Sequence, residues 1–272
     1  MATSSAEPDP EIVAALRAAG CVFAEEEAAL LAAGAHEGGD LALMLARRVA
    51  GEPLEQVLGW AQFCGLRIKV LPGVFVPRRR TEGLVRLGVE VVRMLGRPAV
   101  VVDLCCGTGA VGVAIDRETG GVELHASDLD PDAVACARRN VTRGRVHEGD
   151  LYDALPTHLR GRVDVIVVNA PYVPTEEIAR MPPEARDHEH RIALDGGADG
   201  LDVHRRVAAG APEWLGGGGT LLIETSREQA DRTAAACAEA GLAPSVRWFE
   251  QIGSTVVRAI SVDPDPSGTM SG

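Results

Sequence analysis

The stretch Val100-Val-Val-Asp-Leu-Cys-Cys-Gly-Thr-Gly-Ala-Val-Gly112 decides the fold of this chain. An apolar run ends at Asp103, and glycines follow with the spacing Gly107-x-Gly109-x-x-Gly112. This order predicts a buried strand, a tight turn and a helix, with glycines that let a ligand approach the backbone closely. The spacing also matches the dinucleotide-binding fingerprint, which is a weak signal by itself. We therefore expect a ligand site at this turn.

Apolar strands and helices alternate along the rest of the chain. The strands are continuous apolar runs, as in a parallel sheet that is covered on both faces. Two strand patterns within residues 246–260 are predicted to close the sheet as an antiparallel hairpin, and the glycine run 216–219 is expected to be a loop. We predict an α/β fold with a doubly wound, mostly parallel sheet. Its helices are predicted over residues 81–95, 131–140, 201–215 and 229–240, and its strands over 99–103, 123–127, 146–148, 163–169 and 219–224.

The composition is different before residue 59. Residues 10–58 are rich in Ala, Leu and Glu with glycine breakers, which favours a small domain of short helices. Apolar residues partly alternate after Gly59, and Pro72-Gly73 is the expected turn of a β-hairpin connector over residues 59–80. The larger α/β domain then covers residues 81–262. The ends, residues 1–9 and 263–272, are predicted to be disordered.

Composition excludes several classes of protein. The 27 Lys and Arg against 39 Asp and Glu give a net charge of −12, which repels phosphate backbones and argues against stable nucleic-acid binding. No secretion signal or membrane span is recognisable, so we expect a soluble cytoplasmic protein without a membrane partner. The six cysteines are scattered and form no C-x-x-C pair, so no disulfide framework and no metal site is predicted.

Acidic residues near the ends of predicted strands narrow the choice of ligand. At Asp103 a carboxylate would oppose a pyrophosphate but would attract the sulfonium and ammonium groups of S-adenosylmethionine. Asp128 is placed to accept hydrogen bonds from ribose hydroxyls of either ligand. Asp150 could bind the adenine amino group or could be an ordinary helix cap. These residues favour S-adenosylmethionine, with a dinucleotide and a purely structural turn as the alternatives.

The predicted strand 163–169 ends in Asn169-Ala-Pro-Tyr172. The asparagine side-chain oxygen and the next backbone carbonyl offer two acceptors to an N–H₂ group, and Tyr172 offers a flat wall. Because an amide nitrogen is a poor nucleophile, holding it in line with a methyl donor lowers the cost of transfer. The pattern predicts methyl transfer to a planar nitrogen, without a metal or a covalent intermediate. A turn that merely caps the strand is the alternative.

These motifs together resemble the HemK family of protein glutamine methyltransferases, over about residues 48–260. That family methylates glutamine side-chain amides with S-adenosylmethionine, releasing S-adenosylhomocysteine, notably in the Gly-Gly-Gln loop of peptide chain release factors. The resemblance implies a class I, Rossmann-like methyltransferase domain over residues 81–262 and a substrate-binding helical domain over residues 10–58. It rests on Arg48-Val-Ala-Gly-Glu-Pro-Leu-Glu-Gln-Val-Leu-Gly59, Phe63-Cys-Gly-Leu66, Val74-Phe-Val-Pro-Arg-Arg-Arg-Thr-Glu82, the turn 103–109, Asn169-Ala-Pro-Tyr172 and Ala193-Leu-Asp-Gly-Gly-Ala-Asp-Gly-Leu201.

The resemblance also assigns the site, residue by residue. The glutamine amide would be held by Asn169, Ala170, Pro171 and Tyr172. The resemblance places Cys105, Cys106, Gly107, Thr108 and Gly109 beside the methionine part of the cofactor, Asp128 at the ribose and Leu151 at the adenine. Together with Asp103 and Asp150 from the argument on acidic residues, and with Asn169, these residues form the predicted cofactor set.

The chain departs from the family pattern at several positions, so we expect a divergent member. Ala170 stands where the family has proline, and Cys105 stands in place of the first glycine of the cofactor turn. Pro77-Arg-Arg-Arg-Thr-Glu82 replaces the family's Pro-Arg-Pro-Glu-Thr-Glu, with basic residues near the expected substrate entrance. Two other functions stay open: methylation of an adenine amine in nucleic acid, which the net charge disfavours, and binding of S-adenosylmethionine without catalysis.

Overall fold

The fold is taken from a computed structural model that describes residues 8–262. The segments predicted to be disordered, 1–9 and 263–272, therefore lie outside the described residues except for Pro8 and Asp9. Asp9 has a defined role, because its side chain accepts a hydrogen bond of 2.9 Å from the Glu11 N–H and caps the first helix.

Four helices precede the sheet and share a small apolar core. Alanine, leucine and glutamate favour helix throughout this segment, and Asp40 caps the third helix by accepting from the Ala42 and Leu43 N–H groups. Buried side chains from all four helices meet in one cluster that includes Leu16, Leu31, Met44 and Val57. The helices are α1 Pro10–Ala18, α2 Ala24–His36, α3 Leu41–Val49 and α4 Leu54–Leu58.

A short antiparallel hairpin follows, but its turn is not the expected one. Strands β1 Trp60–Phe63 and β2 Leu66–Lys69 are joined at Cys64-Gly65, whose φ angles are 47° and 73°. The prediction of a turn at Pro72-Gly73 was wrong. Two-residue hairpins favour positive φ at both positions or at the first, and proline cannot adopt it. Pro72-Gly73 lies instead in the link to the larger sheet.

The main sheet has seven strands in the order β5-β4-β3-β6-β7-β9-β8. The first five are parallel, and β9 and β8 close the edge in antiparallel pairing, which confirms the predicted α/β fold with a mostly parallel, doubly wound sheet. Its strands are β3 Val100–Leu104, β4 Glu123–Asp128, β5 Gly144–Glu148, β6 Val163–Val168, β7 Leu215–Thr225, β8 Leu242–Phe249 and β9 Ser254–Ser261. The remaining helices are α5 Glu82–Leu95, α6 Ala110–Thr119, α7 Pro131–Asn140, α8 Pro183–His188, α9 Asp202–Trp214 and α10 Ala230–Glu239.

Helices cover both faces of this sheet, which explains the continuous apolar strands. Alternate residues of one strand point to opposite faces, so Val165 packs in the cluster with α5 and α6, while Ile166 packs in the cluster with α9 and α10. The strand order reverses beside β3, because β4 lies on one side of it and β6 on the other. Ligands of doubly wound folds bind at the carboxyl edge near such a reversal.

The glycine run 216–219 was expected to be a loop, and this prediction was wrong. It belongs to β7, whose pairing with β6 shifts register between Leu215, opposite Val163, and Thr220, opposite Val165. Gly218 has a φ of 73°, so the run accommodates an irregularity within the strand rather than ending it.

Candidate active site

The turn after β3 is built by hydrogen bonds from backbone N–H groups to two carboxylates. Asp103, at 2% exposure, accepts from the Gly112 N–H at 2.8 Å, and Asp128 accepts from the Gly107 N–H at 2.8 Å. Gly107 has a φ of 54°, and a Cβ added to it would meet no protein atom within 4 Å. The space beside this backbone is therefore left open to a ligand.

Besides Cys64 in the hairpin, two non-glycine residues, both at this site, hold the left-handed conformation that glycine favours. Cys105 has a φ of 53° and Leu151 a φ of 48°. Such a conformation costs about 1–2 kcal/mol for an L-residue and persists where the surrounding structure enforces it, frequently at functional sites. Both residues belong to the predicted cofactor set, and both line the cavity described next.

One cavity of about 1270 Å³, including its open mouth, lies at the carboxyl edge of the sheet. Every predicted site residue except Gly109 lines it. Gly109 begins α6 with a φ of 75°, and an added Cβ would lie 3.0 Å from a Val141 methyl, so this glycine serves close packing against α7. The predicted cofactor and substrate residues are thus brought together in one space, while their individual roles stay predictions.

The cavity is rich in carboxylates. Burial raises the pKa of Asp103 to about 8, assisted by the negative charge of Asp128, and burial also raises the pKa of Asp128. Two arginines also line the cavity, and each faces an acidic residue: Arg206 donates to Asp150 at 2.7 Å, and the Arg80 Nε lies 3.4 Å from Glu224. Such a set fits a cationic ligand such as a sulfonium and disfavours a polyphosphate.

Asn169 directly follows β6 and lines the same cavity as Asp128. Its amide nitrogen donates to the Thr81 hydroxyl at 3.5 Å, and its side-chain oxygen has no hydrogen-bond partner within residues 8–262. Ala170 is buried at 2% exposure. Burial, together with the charge of Glu224, raises the pKa of Tyr172 to about 12, so the phenol stays neutral.

A loop that precedes α9 fixes the backbone of Tyr172. Gln229 donates to the Tyr172 carbonyl at 3.0 Å, and a Cβ on Gly200 would lie 2.4 Å from that same oxygen. The Val173 N–H donates to Leu194 at 3.1 Å. The glycine-rich segment 193–201 carried no predicted role, and Gln229 was not among the predicted site residues. The density of glycines in that segment was the available signal of a close backbone approach.

The arginine turn before α5 does not behave as a uniform basic patch. Arg78 pairs with the buried Glu189 and lies 5.1 Å above the Phe75 ring. Arg80 lies 5.7 Å from the centre of the Tyr172 ring. Two of the three arginines therefore support the walls of the cavity, a role that the sequence did not reveal.

One group of residues has the spacing of metal ligands. Asp130, Asp132 and His190 have ligand atoms within 4.8 Å of one another. His190 is engaged with Asp130 at 2.6 Å and packs on Gly73, where a Cβ would lie 2.2 Å from its ring. Through His190 these contacts join the start of α7 to the connector.

The sequence is similar to those of several known proteins. The family described as "Methyltransferase small domain" matches residues 65–183. A release factor glutamine methyltransferase of Streptomyces coelicolor is 41% identical over 190 residues, 68% of this chain and 67% of that protein. One of Geobacter sulfurreducens is 40% identical over 192 residues, 69% of this chain and 66% of that protein.

The chain belongs to the release factor glutamine methyltransferase family. The match spans about two thirds of the length of these relatives. A methyltransferase structure from Pyrococcus furiosus aligns with a TM-score of 0.55 at 16% identity, over 80% of this chain and 98% of that one, and so supports the class I methyltransferase fold. Within residues 8–262, no helix of this family member has the length and apolar character needed to cross a membrane.

Proposed function

We propose that this protein transfers a methyl group from S-adenosylmethionine to the side-chain amide nitrogen of a glutamine in a peptide chain release factor, within its Gly-Gly-Gln loop. The observation that carries the proposal is the shared cavity, which is lined both by the carboxylate-bearing turn after β3 and by the Asn169-Ala-Pro-Tyr172 segment. Membership of the family supports the choice of substrate. A release-factor substrate also implies that the reaction takes place in the cytoplasm.

The turn after β3 and its neighbours would hold the cofactor. Asp128 would accept hydrogen bonds from the ribose, residues 105–108 would line the methionine part, and Leu151 would contact the adenine. Asp103 would face a cation across the buried end of β3. When bound, S-adenosylmethionine supplies an electrophilic methyl group on a sulfonium and leaves as S-adenosylhomocysteine.

The segment after β6 would hold the glutamine amide. The free side-chain oxygen of Asn169 and the carbonyl of Ala170 are the two acceptors for its N–H₂ group. Replacing the family's proline by alanine keeps that carbonyl, so the pair of acceptors survives the change. The neutral Tyr172 would form an uncharged wall beside the amide. The amide nitrogen held there gains one methyl group and loses one proton.

The proposal is tested by incubating the purified protein with S-adenosylmethionine and the release factor of the same organism. Mass spectrometry of the Gly-Gly-Gln peptide should show one added methyl group. A release factor whose target glutamine is replaced by glutamate is the matched substrate control. In Asn169→Ala we expect transfer to fall about 100-fold, as for the loss of one transition-state hydrogen bond, with cofactor affinity nearly unchanged.

Two results would contradict the proposal. Full activity of Asn169→Ala would remove the assigned role of the tetrapeptide. No methyl on the peptide, with cofactor binding shown by calorimetry, would exclude the release factor and leave an adenine amine, another acceptor or a binding function.

A further inference from the structure

Glu224 is a buried acid that the proposed mechanism does not use. It lies near the end of β7, at 1% exposure, and neither of its carboxylate oxygens has a hydrogen-bond partner of good geometry within residues 8–262. The ion pair with Arg80 at 3.4 Å leaves the hydrogen-bonding capacity of this buried carboxylate unmet, which destabilises a fold. Its presence beside the cavity therefore requires an explanation.

The strand register places Glu224 next to the Asn169-Ala-Pro-Tyr172 segment. Val168 of β6 is paired with Ile223 of β7, so Asn169 and Glu224 are the next residues on two adjacent parallel strands. Thr81, which accepts the hydrogen bond from Asn169, approaches both from the turn before α5. Thr81 is itself buried, at 3% exposure, and lines the cavity.

Three side chains influence, or are influenced by, the Glu224 carboxyl: those of Thr81, Arg80 and Tyr172. Burial raises its pKa, while the Thr81 hydroxyl and the positive charge of Arg80 oppose that rise. Tyr172 faces it as the remaining titratable group, since the charge of Glu224 contributes to the raised pKa of the phenol. No hydrogen bond of good geometry joins the Thr81 hydroxyl to Glu224 within residues 8–262, and hydrogen bonds of catalytic networks are often long or poorly aligned before substrate is bound.

Hydrogen-bond directions in this group are determined by the carboxylate. A hydroxyl has one proton to donate, and an ionised carboxylate can only accept. If the Thr81 proton points to Glu224, the Thr81 oxygen can only accept from Asn169. Asn169 must then turn its nitrogen to Thr81 and leave its oxygen on the other side, toward the cavity.

We propose that Glu224 and Thr81 are positioning residues that fix the amide orientation of Asn169, so that its side-chain oxygen is presented to the amide to be methylated. The inference rests on the proposed function and adds two residues to it. Protonation of Glu224 would allow the hydrogen bonds from Glu224 through Thr81 to Asn169 to reverse their direction. Asn169 would then present its N–H₂ group to the N–H₂ group of the substrate. The active form of the enzyme is therefore the one with an ionised Glu224.

The kinetic test compares conservative and disruptive substitutions. In Thr81→Val we expect kcat to fall about tenfold, the loss of one oriented hydrogen bond, with a smaller change in KM for the peptide. Thr81→Ser keeps a hydroxyl at this position, so its kcat should stay within about threefold of the wild-type value. Glu224→Gln should lower kcat at pH 8 and remove the fall in activity on the acid side that the wild type shows.

Two variants elsewhere in the sheet serve as matched controls. Thr220→Val removes a buried hydroxyl from the same strand, and Asp164→Asn removes a buried carboxylate from β6, at the end of the sheet far from the cavity. Both should leave kcat per folded molecule and its pH profile unchanged. Melting temperatures of all variants separate a folding defect from a loss of orientation.

A second readout does not depend on activity. The side-chain N–H₂ resonances of Asn169, assigned in protein labelled with ¹⁵N-asparagine by comparison with Asn169→Ala, should shift as Glu224 titrates. They should lose this shift in Glu224→Gln and in Thr81→Val. Resonances that do not respond to either substitution, or a Thr81→Val enzyme as fast as the wild type, would overturn the inference. A wild type that binds cofactor and shows the shift but does not methylate the peptide would refute the proposed function and leave the positioning role intact.

Discussion

Replacement of Asp103 by asparagine separates two effects of this buried acid: its cost to the stability of the fold and its contribution to the binding of a cation. The pKa of Asp103 is about 8 in the folded protein, against an ordinary value of 3.8. For a group whose pKa is raised by folding, the stabilising contribution is complete below the lower value and is lost as pH rises to the higher one. Each pH unit between them lowers the free energy of unfolding by about 1.4 kcal/mol.

Asparagine cannot ionise, and its oxygen can still accept the hydrogen bond from the Gly112 N–H. Between pH 5 and pH 7 the free energy of unfolding of Asp103→Asn, measured relative to the wild type, should therefore rise by about 3 kcal/mol. Urea unfolding followed by tryptophan fluorescence at both pH values measures this difference. A difference that stays constant across this range would refute the reasoning, because the carboxyl would then titrate as an ordinary acid.

The same substitution should weaken the binding of a cation. Above pH 8, where the Asp103 carboxyl is ionised, we expect the Kd for S-adenosylmethionine to rise about tenfold, equivalent to the loss of one moderate charge interaction. S-adenosylhomocysteine lacks the sulfonium charge and should lose less affinity, which isothermal titration calorimetry can measure. A variant that is both more stable and weaker in cofactor binding would identify Asp103 as a residue retained for its function.

Three further predictions concern other parts of the protein. Burial lowers the pKa of His204 to about 4, so the contribution of this side chain to the free energy of unfolding is complete above pH 6.5 and falls by up to about 3 kcal/mol as pH drops toward 4. In urea unfolding, the stability advantage of the wild type over His204→Gln should therefore shrink by about 2 kcal/mol between pH 7.5 and pH 5. An unchanged advantage would contradict this. Gly200→Ala should displace the Tyr172 carbonyl and reduce methyl transfer more than tenfold, whereas Gly218→Ala, with a similar φ of 73° and no neighbour within 4 Å, should lose only about 1 kcal/mol of stability and no activity. Gly107→Ala places a methyl group in the open space beside the turn and should raise the Kd for the cofactor at least tenfold; calorimetry showing unchanged affinity would mean that the ligand does not approach this backbone.

The parts of the site that lie on strand ends could be predicted from the sequence. Asp103, Asp128 and Asn169 are far apart along the chain, but each ends or follows a recognisable apolar strand. Carboxyl ends of parallel strands meet at one edge, so their proximity follows from the fold alone. The family resemblance added the roles that spacing could not supply.

Other features depend on three-dimensional information. The position of Glu224 beside the Asn169-Ala-Pro-Tyr172 segment requires the register between β6 and β7, and that register is interrupted by the irregularity in the glycine run. Gln229 reaches the Tyr172 carbonyl from 57 residues away. Neither residue has a local pattern that marks it, because a buried glutamate or glutamine near a strand end is compatible with many structures. The hairpin turn was misplaced for a different reason: Cys64 adopts a positive φ that its residue type disfavours.

The arrangement of the sheet also bears on how such an enzyme can change during evolution. Groups assigned to the cofactor lie mainly at the ends of β3 and β4, and groups assigned to the acceptor lie at the ends of β6 and β7, on the other side of the strand-order reversal. Substitutions after β6 and β7 can therefore alter the acceptor while the methyl-donor half stays the same. Gene duplication followed by drift in those two loops is therefore one route to a methyltransferase with a new acceptor on an inherited cofactor site.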